Sequence, residues 1–121
     1  MKLSKVQELL NAKVYTGQEM MDTLEVTQAC GSDLMSDVLA FVKEQGLLLT
    51  GLQNLQVVRT AEMMDMQAIV FVRGKEPDAA MIQTAAAKEI VLMTTDYPMF
   101  PACGILYAGG LRGGKAGDLH G

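Results

Sequence analysis

From Val26 onward the chain repeats one unit: a short apolar run, a polar turn usually holding glycine, then a helical stretch with one apolar side. The runs fall at 26–30, 47–50, 68–72 and 90–93, and the last three are nearly continuous in apolar residues. Such runs suit strands covered on both faces rather than strands with one wet face. Parallel strands need a long crossover, and each segment between runs is long enough to supply a helix. The pattern therefore predicts an α/β fold: a single domain with a mainly parallel β-sheet and helices packed on its faces.

The intervening segments carry their own punctuation. After Gly31-Ser32-Asp33 a helix is expected with Leu34, Val38, Phe41 and Val42 on one side and Asp37, Lys43 and Glu44 on the other. Ser32 or Asp33 can cap its free N–H groups, and Gly46 can stop it. Residues 54–65 read as the next helix. Pro77 suits a first helical turn, and 79–89 continue with strong helix formers. A last helix over 98–107 is expected to bend near Pro101 and Gly104. Ahead of the repeat, 4–12 read as a helix capped by Ser4, with Val6, Leu9 and Leu10 on one face. A short strand at 13–15 follows, closed by Thr16-Gly17, and 18–25 read as irregular. Glycine and charge dominate from Gly109, so the reading is one domain over 1–111 and a loose Gly-rich tail over 112–121.

With 121 residues, half of them apolar, such a domain can build a core without disulfides or metals. Aromatic residues make up only 5%, so aliphatic side chains and ten methionines must fill it. Methionine plugs irregular gaps, and it also makes adaptable interaction surfaces, for which Met63, Met64 and Met66 are the candidates. A net charge of −4 argues against nucleic acid and anionic membrane as partners. No apolar stretch approaches a membrane span, and no apolar signal region follows Met1-Lys2-Leu3-Ser4, so a cytoplasmic protein is expected. Cys30 and Cys103 are widely separated, and the lone His120 sits in the tail. Neither a metal site nor a Cys–His nucleophile is expected from them, and no cofactor is implied.

In open α/β sheets ligands gather outside the carboxyl ends of the strands. The residues there are Ser32 and Asp33 after Gly31, Thr50 and Gly51, Arg73, Gly74 and Lys75, and Thr94, Thr95 and Asp96. Arg73 offers a bidentate fork, Lys75 a point charge, and Gly74 a close backbone approach, which together suit a small anionic ligand. The same residue types also serve as ordinary turn and cap residues. Asp33 and Asp37, one helical turn apart, fit either a divalent ion or a cap plus an exposed face. Catalytic signatures are missing. The stretch 109–115 imitates a phosphate-binding loop but lacks the following Ser/Thr and helix, and no nucleophile elbow or dinucleotide fingerprint occurs. The sequence is therefore read as non-enzymatic.

The strings Gly31-Ser32-Asp33-Leu34-Met35-Ser36-Asp37, 47–51, Ile69-Val70-Phe71-Val72-Arg73-Gly74-Lys75 with Pro77, and Val91-Leu92-Met93-Thr94-Thr95-Asp96 occur in an order that resembles the DRTGG domain. The resemblance covers roughly 13–111. It implies an α/β domain that tends to form homodimers and that accompanies CBS domains in regulated pyrophosphatases, in a region that binds adenine nucleotides. It also resembles the N-terminal domain of HPr kinase/phosphorylase without implying kinase activity. Two turns depart from the family. Gly51-Leu52-Gln53 stands for its Gly-Asp-Arg, and Val72-Arg73-Gly74 for its Thr-Gly-Gly, so the glycines remain while the polar side chains change. Arg59, Arg73 and Lys75 can supply charge from other positions. Two functions are expected from this reading. One is a dimeric regulatory module binding a small anion such as an adenine nucleotide. The other is an interaction partner of a metabolic or redox enzyme, with no small ligand, using the methionines and the apolar helix around Phe100 and Leu106.

Overall fold

Each apolar run of the repeat is a strand in the computed structural model, which describes residues 1–41 and 46–113. The elements are α1 (Leu3–Leu10), β1 (Lys13–Thr16), a 3-10 turn (Gln18–Met20), β2 (Gln28–Gly31), α2 (Met35–Phe41), β3 (Gly46–Thr50), α3 (Leu55–Met63), β4 (Ala68–Phe71), α4 (Ala79–Ala87), β5 (Val91–Thr94) and α5 (Met99–Ala108). The sheet order is β1-β5-β4-β3-β2. β2 to β5 are mutually parallel, and β1 joins β5 antiparallel.

Strand alternation divides the continuous runs between two cores. Leu47, Leu49, Val70, Val91 and Met93 point to the side of α1 and α5, where they meet Leu3, Val6, Leu10, Ala102 and Leu106. Leu48, Ile69, Phe71 and Leu92 point to the other side and pack against Val38 of α2, Val57, Val58 and Ala61 of α3, and Met81 and Ala85 of α4. Burying one such large side chain contributes about 1.5–3 kcal/mol, so both faces must be covered for the sheet to hold. Methionine serves as filler: Met21, Met66, Met81 and Met93 are buried. Met63 is exposed while Met64 packs against the core, so the three candidate methionines do not form one surface.

Several local expectations shift. Ser4 lies inside α1, whose N-cap is Lys2 without a side-chain bond, because the chain enters the helix two residues earlier. Leu34 is exposed and precedes α2, of which Val38 is buried in the core and Met35 packs partly against it. Gly46 is the buried first residue of β3, paired with Gln28, rather than a helix stop. Val42, Lys43 and Glu44 lie outside the described residues, as does the side chain of Phe41. Pro77 precedes the cap of α4, and Asp78 is the cap, its carboxylate accepting the Met81 N–H at 2.9 Å. Asn54 caps α3 likewise through Val57, at 3.1 Å. α5 runs through Pro101 and Gly104 as one helix. Pro101 falls in its first turn, where no backbone N–H is needed.

α1, α3, α4 and α5 end in one type of backbone turn. Asn11, Asp65, Glu89 and Gly110 take positive φ, and the next residue donates back to a carbonyl five positions earlier. This is the Schellman closure, in which the following apolar residue folds onto the core. Met66, Ile90 and Leu111 are accordingly buried. Past α5, the carbonyl of Arg112 accepts the Ala29 N–H, so the chain runs beside the outer edge of β2. Residues 114–121 of the expected tail lie outside the described residues. Among the described residues, no helix is long and apolar enough to cross a membrane.

Candidate functional site

Parallel pairing in register brings the ends of β2 to β5 to one edge, and the turns that follow them lie side by side there. Asp33 links two of these turns. Its carboxylate accepts the Gly51 N–H at 2.6 Å and the Thr50 hydroxyl at 3.3 Å, tying the end of β2 to the end of β3. Ser32 stays local, its hydroxyl accepting the Leu34 N–H. Asp33 thus serves as a link between turns, and no group of three or more metal-ligating side chains forms among the described residues.

Arg73 crosses from the end of β4 to this link. It has φ +59 and is followed by Gly74 at φ +70, a doubly left-handed turn that non-glycine residues rarely enter. The turn is held by the Arg73 N–H on the Tyr97 carbonyl and the Gly74 N–H on the Thr95 carbonyl, both at 2.9 Å. Its effect is to lay the guanidinium over Gly51, so closely that any Cβ there would collide with Nη2. Arg73 Nη2 lies 3.9 Å from Asp33 Oδ2, and its side chain is half exposed. Such a long, wet ion pair adds little to stability, and it leaves most guanidinium donors available. Lys75 is exposed one turn along, and Asp96 lies beside Gly74.

The threonines of this edge are structural. Thr95 is buried; its hydroxyl donates to the Leu10 carbonyl at the end of α1 and accepts the Tyr97 N–H. Thr94 donates to the Lys75 carbonyl at 2.8 Å, and Thr50 accepts the Leu52 N–H at 3.1 Å. Of the ten expected residues, Asp33, Arg73, Gly74, Lys75 and Asp96 are exposed, and Gly51 is half-buried beneath the guanidinium. Ser32, Asp33, Thr50, Thr94 and Thr95 hold the backbone that positions them.

Tyr15, Gln53, Glu76 and Tyr97 also stand at this edge, beside Phe100 of the expected interaction helix. Tyr15 donates its hydroxyl to Glu76, whose carbonyl accepts the Gln53 side-chain amide. The hydrogen bond to Glu76, ahead of burial, raises the Tyr15 pKa above its ordinary value. Tyr97 and Phe100 add exposed aromatic surface at the start of α5, and Phe100 is 89% exposed. Tyr97 precedes the Pro98 cap, and Phe100 lies in the first turn of the helix. Nearby, Cys30 of the edge strand β2 and Cys103 of α5 are free, half-buried thiols on opposite sheet faces, and burial pushes both upward in pKa.

No protein-family model and no curated protein sequence matches the chain. Among solved structures, the regulatory region of Clostridium perfringens pyrophosphatase, comprising CBS and DRTGG domains complexed with the activator diadenosine tetraphosphate, is similar with a TM-score of 0.72. Sequence identity is 15%, and the match covers 87% of this chain and 45% of that one. The chain thus spans about half the length of that structure. A likeness at this identity establishes the fold, a DRTGG-like α/β sheet.

Proposed function

We propose that the chain is a non-catalytic regulatory module, dimeric in solution, that binds a small anionic ligand at the carboxyl edge of its sheet. Adenine nucleotides are the ligand class to test first, because the similar pyrophosphatase region is complexed with an adenine-nucleotide activator. The observation that carries this reading is Arg73. Its guanidinium is pinned over Gly51 by an unusual backbone turn, yet its donors are left largely to solvent. A preoriented fork with unused donors matches phosphate geometry, and Lys75 adds a second positive charge. Titration calorimetry with AMP, ATP and diadenosine tetraphosphate tests the reading. Binding is expected, and Arg73→Ala should weaken it. Absence of heat and of thermal stabilisation at millimolar nucleotide would rule it out, and light scattering reads the dimer separately.

A second reading is favoured by Phe100. An almost fully exposed phenyl ring beside exposed Tyr97 suits an accessory factor that docks on a partner enzyme without any small ligand. Reproducible capture of one partner by the wild type, lost in Phe100→Ser, supports this reading over the first.

A further inference from the structure

The amino edge of the sheet, opposite the site above, holds a groove of about 740 Å³. Met20, Leu24, Met66 and Ile90 give it an apolar floor, and Glu62, Asp65 and Glu89 bring carboxylates to its lining. Among the described lining residues the one cation is Lys88, which is paired with Glu62 at 3.5 Å. Among the described residues, neither Asp65 nor Glu89 forms an ion pair. Gln67 Oε1, also in the lining, is buried and has no hydrogen-bond partner, so a strong acceptor faces no donor.

Placement of the two acids is what makes this groove unlike the rest of the surface. Asp65 and Glu89 occupy the left-handed closing position of α3 and α4, which α1 and α5 fill with Asn11 and Gly110. Glycine, asparagine and aspartate tolerate that conformation, whereas glutamate there is strained. A carboxylate at a helix C-terminus is also repelled by the carbonyl end of the helix dipole. Both helices that end at this groove thus carry an acid against the dipole preference, and Glu89 also sits against the backbone preference. Local rules broken twice toward one cavity are expected at a binding site.

We propose that this groove takes an arginine-bearing, amphipathic segment of a partner protein, with apolar side chains on the methionine floor and guanidinium groups on Asp65 and Glu89. Methionine and leucine on the floor adapt to varied apolar partners. The guanidinium supplies the several N–H donors that two carboxylates require.

A short fluorescein-labelled peptide of alternating leucine and arginine tests this by fluorescence polarisation, with a leucine–glutamate peptide as its counterpart. The arginine peptide should bind the intact chain and the glutamate peptide should not. The double variant Asp65→Asn/Glu89→Gln should bind about tenfold more weakly, as expected for two partly exposed charge pairs. Asp37→Asn, which removes an equal charge on α2, should bind as the wild type does. Glu89→Gly should raise the melting temperature while weakening the peptide, a combination a purely structural residue does not give. No binding of the arginine peptide, equal binding of both peptides, or an equal loss in Asp37→Asn overturns the proposal.

Discussion

Gly51→Ala perturbs the carboxyl-edge site without removing a charge. The added methyl would collide with Arg73 Nη2 and lie 3.2 Å from its Cζ and 3.3 Å from Asp33 Oδ1. Gly51 is not among the positive-φ residues, so alanine takes its backbone conformation without strain. The atoms that must yield belong to the end of a flexible side chain, and the guanidinium swings off its seat. Folding stability gains about 0.4–1 kcal/mol from a stiffer unfolded chain and loses about 0–1 kcal/mol from the exposed ion pair. The net change in urea denaturation should stay within about 1 kcal/mol. Ligand affinity behaves differently, because a displaced Arg73 forfeits a charge-assisted hydrogen bond of about 1.5–3 kcal/mol. Calorimetry with ATP should show binding about 10- to 150-fold weaker. Adding Arg73→Ala to Gly51→Ala should cost little more, since both remove the same contact. Wild-type affinity in Gly51→Ala, or a loss of stability beyond about 2 kcal/mol, refutes the role given to the seated guanidinium.

Gly17→Ala should be far more damaging: φ is +81, and a Cβ would stand 2.5 Å from Val91 Cγ2 and 3.3 Å from its Cα. Left-handed strain together with overpacking predicts a loss of about 2–4 kcal/mol by chemical denaturation. Thr95→Val keeps the shape but strands the Leu10 carbonyl and the Tyr97 N–H. A loss of about 1–3 kcal/mol is expected, with faster amide exchange in α1. The thiols of Cys30 and Cys103 titrate above the ordinary 9.0 because burial disfavours their thiolates. Alkylation near neutral pH should therefore be slower than for free cysteine. Since their folded-state values are raised, the stability they contribute is complete below about pH 9 and is lost as pH climbs through those raised values.

The central part of the fold was readable because its runs are short, apolar and punctuated. Asn54 and Asp78 cap where helices start, and β3, β4 and β5 fall on the expected runs. Ambiguity entered where one residue type serves two geometries. Gly46 follows a helical stretch and so resembles a stop, yet it is also the first strand residue with a partner in β2. Pro101 resembles a kink only if the helix start is misplaced, since in a first turn it costs nothing. The three methionines near 63–66 separate because the Schellman turn at Asp65 sends Met66 inward.

The carboxyl edge followed from topology, but the jobs of its hydroxyls did not. A threonine after a strand can face a ligand or the backbone, and only the position of α1 turned Thr95 toward Leu10. Tyr15 and Glu76 meet across 61 positions, a contact no local pattern encodes. The amino-edge groove escaped notice because Asp65 and Glu89 look like solvated helix ends. The available signal was an omission, namely two helices stopping without glycine or asparagine.

The antiparallel attachment of β1 has a consequence for the order of assembly. Strands β2 to β5 are neighbours in both sequence and sheet, so each crossover can form over a short loop. β1 alone must close a long one: Thr16 takes the Leu92 N–H across 76 positions. Closure entropy grows with that span, and nothing is gained until β5 is already in place. The first strand and the helix ahead of it are therefore expected to dock last and detach first. Each detachment withdraws the Leu10 carbonyl from Thr95, loosening from behind the turn on which Arg73 is aimed.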